Sequence, residues 1–182
     1  MTEILRRAKP AEIATMIEWA AREGWNPGLD DLDPFAAADP EGYWLADVSG
    51  RPAASISLVH HRPDYAFLGF YIADPAFRGQ GIAYRLWQSV LSQSPAAVIG
   101  LDGVVAQQDN YRKSGFVYAH ANCRYGGQVA GEEAGAGVCR VGPDDIAEAL
   151  AYDARHNPGA RPRFMSAWLT DAPTRRSFLL RR

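Results

Sequence analysis

Apolar side chains return every three or four residues between Ile13 and Ala20: Ile13, Met16, Ile17 and Ala20, with Trp19 beside them. This spacing predicts an amphipathic helix, opened by Lys9-Pro10 and stopped by Gly24. "EILRRA" ahead of it reads as a short first strand. Trp25 to Phe35 mixes turn residues, acids and aromatics, which predicts a loop and a short helix. The rhythm then changes. "YWLADV" and "PAASISLV", separated by Ser49-Gly50, read as two strands of a hairpin. "FLGFYIA" (67–73) is a near-continuous apolar run, as a buried strand requires. Helical spacing resumes with Ile82, Ala83, Leu86, Trp87, Val90 and Leu91, a single stripe closed by Ser94-Pro95. "AVIGL" (97–101) predicts another strand, Val105 to Lys113 a short helix, and Phe116 towards Tyr125 a last strand. A hairpin followed by strand–helix–strand implies an α/β (α+β) fold: a mixed sheet with helices on both faces.

Beyond Tyr125 the pattern dissolves into "GGQVAGEEAGAG", which reads as a linker over 128–138. The chain then starts again. "CRVGPDDIAEALAYDAR…NPG" echoes "RRAKPAEIATMIEWAAR…NPG", with Pro143, Ile146, Leu150, Tyr152 and Arg155 in the places of Pro10, Ile13, Ile17, Trp19 and Arg22. Asn157-Pro158-Gly159 likewise repeats Asn26-Pro27-Gly28. The expected organisation is one domain over 1–127 and, over 139–182, an incomplete second repeat or C-terminal extension, in which "RSFLLRR" supplies a strand.

The 182 residues suffice for one sizeable core, and 47% hydrophobic with 22% charged residues is the balance of an ordinary soluble domain. A formal net charge of -2 gives no footprint for nucleic acid or an anionic membrane. The first residues lack an apolar signal core, and no run approaches membrane-spanning length. Cys123 and Cys139 form no CxxC pair and read as free thiols of a cytoplasmic protein. The adjacent His60 and His61 fall on opposite faces of a strand, so they cannot share a metal, and no metal site is visible. A homodimer is left open as the assembly.

The stretch that carries chemistry is "FRGQGIAYRLW", from Phe77 to Trp87. It sits between a buried strand and an amphipathic helix. The first N–H groups of a helix have no internal partner and carry partial positive charge. Glycines there let the backbone approach an anion closely, and Arg78 adds a cation that forks onto phosphate oxygens. A plain tight connection would account for one glycine, but not for Arg78, Gly79, Gln80 and Gly81 together. The P-loop pattern fails for want of Gly-Lys-Ser/Thr, and the dinucleotide pattern fails because Tyr84 stands at its third small position.

"RGQGIA" (Arg78 to Ala83) resembles the Arg/Gln-x-x-Gly-x-Gly/Ala signature of the GCN5-related N-acetyltransferases, the GNAT superfamily. A second mark, Tyr111-Arg112-Lys113-Ser114-Gly115-Phe116, is similar to the family's tyrosine-to-"GF" segment. The resemblance covers roughly the first two-thirds of the chain. It implies acetyl-CoA as co-substrate, a mainly antiparallel GNAT-like sheet, and transfer to a primary amine of a small molecule or peptide. The backbone of Phe70, Tyr71 and Ile72 would face pantetheine, and Arg78, Gly79, Gln80, Gly81, Ile82 and Ala83 would hold the pyrophosphate. Tyr111 would protonate the departing thiolate. Where the family often has a pantetheine-binding asparagine this chain has Val104, and Asn110 is the candidate substitute. No carboxylate stands in "FLGFYIA", so Asp102, ending the next strand, is the candidate base, while Asp74 reads as a turn cap. Trp25 to Phe35, with Trp44 nearby, would form the acceptor pocket. A non-catalytic acyl-CoA-binding or regulatory module of the same fold is the alternative.

Overall fold

The computed structural model describes residues 2–128, 130, 131, 135 and 137–181. Strand β1 (Glu3–Arg7) is followed by helices α1 (Ile13–Arg22) and α2 (Leu32–Ala38), then by strands β2 (Tyr43–Val48), β3 (Arg51–Arg62) and β4 (Tyr65–Ala73). Helix α3 (Ile82–Ser92), strand β5 (Val98–Leu101) and helix α4 (Gln108–Lys113) complete the first part. The five strands form one sheet in the order β1-β2-β3-β4-β5. The first three pairings are antiparallel and β4–β5 is parallel.

Strand alternation distributes the core over two layers. Tyr43 and Leu45 turn to the α1–α2 face, where they meet Ile13, Met16, Val59 and Phe70. Trp44, Ala46 and Val48 turn to the other face, where α3 lays down Ile82, Leu86, Trp87 and Val90. Those four are the buried part of the six-residue stripe expected from the sequence, with Ala83 and Leu91 partly buried beside them. The hairpin turn also falls as expected, Ser49 and Gly50 both taking positive φ (50° and 79°), the conformation that matches the twist of paired strands.

The expected strand from Phe116 towards Tyr125 does not form. Its residues lack an alternating apolar face, and Val117, Tyr118 and Tyr125 are 88%, 58% and 92% exposed. Three side-chain anchors hold the segment instead of a ladder. Phe116 packs edge-on against Trp87, Asn122 donates to Asp102 at 2.8 Å, and Arg124 donates to the Trp25 carbonyl at 2.8 Å.

The C-terminal part contains β6 (Val138–Arg140), α5 (Ile146–His156), α6 (Pro162–Leu169) and β7 (Phe178–Leu180). Val129, Glu132, Glu133, Ala134 and Ala136 of the expected linker lie outside the described residues, and Val138 already belongs to β6. β6 and β7 pair antiparallel, as β1 and β2 do. In each half a short 3₁₀ turn beginning at proline (Pro10, Pro143) precedes the first helix. In each, a carboxylate closes that turn: Lys9 N–H donates to Glu12 at 2.7 Å and Gly142 N–H to Asp145 at 2.8 Å. Ala149 is the one buried apolar side chain described after residue 139. The part therefore relies on its seat against α2, where Phe164 stacks on Phe35 with centroids 6.1 Å apart.

Candidate active site

β4 and β5 pair only from Tyr65–Val98 to Leu68–Leu101. β5 ends there, and among the described residues the outer edge of β4 from Gly69 to Ala73 has no strand partner. Unpaired backbone donors and acceptors on such an edge are a template for a ligand carrying amides of its own.

β4 itself changes register just past this point. Ser55 pairs with Ile72 and Ser57 with Gly69, so Ile56 alone opposes both Phe70 and Tyr71. This is a β-bulge, and Phe70 carries it at φ +46°, a region an L side chain rarely occupies. The extra residue resets the alternation. Phe70 and Ile72 pack towards α1 and α2, whereas Tyr71 joins Leu68 on the α3 face. No periodicity rule places a bulge, so neither the side-chain role of Tyr71 nor that of Ser55 was visible in the sequence.

At the far end of the free edge, Asp74 caps the next turn by accepting from Ala76 N–H at 3.0 Å. The chain then enters α3 through Gly79 (φ +76°) and Gly81 (φ +73°). Gly81 is the N-cap, and no side chain caps this helix. Its first N–H groups are therefore left for solvent or an anion. A Cβ at Gly81 would stand 3.0 Å from Arg85 Nη1, in a conformation already strained for an L residue. Arg85 braces the turn from behind, donating to the Gln80 carbonyl at 3.2 Å while paired with Glu3. Ile82 is buried in the core and Ala83 packs against it. Arg78 is not aimed across the glycines: it pairs with Glu23 at the end of α1 and donates to the Ala73 carbonyl at 3.1 Å.

Tyr111 stands on α4 at the fork. Trp87 lies between two phenols, 4.9 Å from the Tyr71 ring and 6.1 Å from the Tyr111 ring. Burial pushes the Tyr111 phenol up, and burial with the neighbouring Tyr111 and Tyr84 pushes Tyr71 up to about 12. Both remain proton donors at neutral pH. The Tyr111 ring can approach the tip of β5 only because Gly103 has no side chain: a Cβ there would fall 2.4 Å from the ring.

The other two candidates are placed differently. Asp102 is exposed and accepts from Asn122. Gly100, of the same parity, faces Tyr65 and Phe67, so Asp102 belongs to the side of the sheet opposite Tyr111. Asn110 turns its amide back to Gln107 at 2.7 Å. The structure thus brings together the β4 edge, the glycine turn and Tyr111, and leaves Asp102 and Asn110 at the margin.

Comparison with known proteins agrees with this geometry. The Acetyltransferase (GNAT) family pattern matches residues 10–118, and the chain belongs to that family. It is 33% identical over 168 residues to holothin acyltransferase from Pseudoalteromonas sp. (strain SANK 73390), covering 90% of this chain and 57% of that protein. A candidate acetyltransferase from Pyrococcus horikoshii superposes with a TM-score of 0.68 at 19% identity, over 92% of this chain and 61% of the other. A candidate acetyltransferase from Clostridium acetobutylicum, solved with acetyl-CoA, gives 0.54 at 16% identity, over 69% of this chain and 96% of the other. At these identities the structures speak for the fold. The chain spans about three-fifths of the length of the first two relatives.

Proposed function

We propose that this chain binds acetyl-CoA and transfers its acetyl group to a primary amine of a small molecule or peptide. One observation carries the reading: an unpaired strand edge runs directly into an uncapped, glycine-opened helix N-terminus, with a neutral phenol at the fork. The pantetheine arm of coenzyme A carries two amides for the edge, and the pyrophosphate that joins it to the adenosine suits the helix N-terminus. The match to an acyltransferase supports acyl transfer as the reaction class.

In this reading the amine nitrogen attacks the thioester carbonyl carbon, a C–N bond forms and the C–S bond breaks. Tyr111 gives its phenolic proton to the leaving sulfur. The amine gives its proton to solvent water, which also reprotonates Tyr111, because Asp102 is held by Asn122 on the far side of the sheet. Arg78 releases Glu23 to meet the phosphates, and Asn110 reaches pantetheine only by giving up Gln107. The C-terminal part is read as the opening of a second unit of the same kind, on the strength of its repeated turn, helix and strand pairing.

The placement of Asp102 away from Tyr111 favours a second reading, a module that binds acyl-CoA without turnover. Thiol release from acetyl-CoA across an amine panel, with binding followed separately by calorimetry, decides between them. Turnover on any amine supports the enzyme, binding alone supports the module, and absence of binding removes both.

A further inference from the structure

A second cluster of chemical groups lies at the other end of α3, about 16 Å from the glycine turn along an eleven-residue helix at 1.5 Å per residue. His60, near the end of β3, holds its Nε2 3.0 Å from the Ser94 hydroxyl and its Nδ1 3.4 Å from an Asp39 carboxylate oxygen. The same Asp39 oxygen accepts the His60 backbone N–H at 2.9 Å, which fixes carboxylate and imidazole relative to one another. Ser94 Oγ also accepts from Ala96 N–H at 3.2 Å, and this locks its rotamer with a lone pair to spare. All three groups line one cavity of about 260 Å³ floored by Trp44, Leu58 and Val90. Nothing in the acetyl-transfer reading uses them.

We propose that Ser94, His60 and Asp39 form a second active site that hydrolyses short-chain carboxylic esters. A serine is activated when a base within hydrogen-bond reach is itself oriented by a third group, and such sets are recognised by geometry rather than by fold. In the tautomer that carries its proton on Nδ1, the nitrogen 3.4 Å from the Asp39 carboxylate oxygen, Nε2 is the acceptor for the Ser94 proton. Ser94 Oγ bonds to the ester carbonyl carbon as its proton moves to His60. The bond to the alcohol oxygen then breaks, and that oxygen takes the proton from His60. Water, deprotonated by the same imidazole, releases the acid and restores Ser94. Arg7, stacked on Trp44 at 4.7 Å and paired with Glu41, is a cation in the wall of the same cavity. The cavity volume accommodates an acetyl or propionyl ester.

The test uses the whole chain with p-nitrophenyl acetate and a fluorophosphonate probe. Wild type is expected to release p-nitrophenolate and to carry the probe on Ser94 by peptide mapping. Ser94→Ala and His60→Gln are expected to lose at least a hundredfold of the rate, within the range such residues contribute. Glu18→Gln, at an exposed position of α1 outside both sites, is expected to hydrolyse the ester at the wild-type rate. Circular dichroism confirms that each variant is folded. An unreactive wild type, labelling at another residue, or an unchanged rate in folded Ser94→Ala would overturn the second site.

Discussion

Ser55 donates its hydroxyl to the carbonyl of Phe70 at 2.7 Å, and Ser55 itself is fully buried while Phe70 and Tyr71 are half-buried. The carbonyl and N–H of one trans peptide point in opposite directions. With the Phe70 carbonyl turned onto β3, the Tyr71 N–H is turned towards the free edge of β4. A single buried hydroxyl thereby fixes a donor on β4 just past the point where β5 ends.

Ser55→Ala leaves that carbonyl without its donor, a loss of about 1–3 kcal/mol. The positive φ of Phe70 adds strain of similar size that nothing then offsets. We expect a lower melting temperature and weaker acetyl-CoA binding, with Ser55→Thr restoring the binding. Calorimetry on the three proteins checks this, and an unaltered affinity in folded Ser55→Ala would separate the bulge from cofactor binding.

Gly81→Val places a branched side chain at φ +73° against Arg85. The fold should survive, because the site is exposed, while acetyl-CoA binding weakens at least tenfold, about 1.4 kcal/mol. Equal affinities for variant and wild type would dispose of the helix N-terminus as the phosphate socket.

Tyr111→Phe keeps the ring on Trp87 and Gly103 and removes only the proton donor. General acid catalysis contributes on the order of 10²–10⁴ in rate, so turnover should fall by that order when chemistry is rate-limiting. Acetyl-CoA affinity should shift by no more than about 1 kcal/mol. Single-turnover kinetics and binding on the same variant separate a catalytic phenol from a packing one.

Glu12 tests the link between β1 and the first helix. Its carboxylate takes a two-pronged bond from Arg6, both contacts at 2.8 Å, and this bond, opposed by burial and assisted by Lys9 N–H, holds its pKa down at about 2. A carboxyl whose folded pKa is depressed stabilises above its unfolded value, near 4.5, and loses that contribution as pH falls towards 2. The melting-temperature gap between wild type and Glu12→Gln should be constant near neutrality and close between pH 4.5 and 2. A gap that persisted at pH 2 would assign the effect to packing.

Phe164→Ala removes the ring that seats α6 on Phe35. Amide exchange should quicken throughout α5 and α6 while α3 and β4 keep their protection. Uniform protection in the variant would show a C-terminal part that holds itself together.

What the sequence determined by itself is whatever depends on neighbours along the chain. The stripe of Ile82, Leu86, Trp87 and Val90 dictates a helix with one buried face, and Ser49-Gly50 dictates the hairpin. Gly79 and Gly81 dictate a turn in positive φ that opens a helix without a cap. These choices are local, set by side-chain spacing and backbone freedom. Tertiary structure decided the rest. Whether Phe116 to Tyr125 joined the sheet depended on a partner edge and a buried face that no local rule supplies. The bulge at Phe70 needed Ser55 from the neighbouring strand, and it alone turned Tyr71 towards Trp87 and Tyr111. Gly103 mattered only because the Tyr111 ring came to rest on it. Asp102 and Tyr111 were fixed on opposite sides of the sheet by the course of β5. Asp39, His60 and Ser94 lie far apart in sequence and meet because a helix end, a strand and a second helix end converge on one cavity.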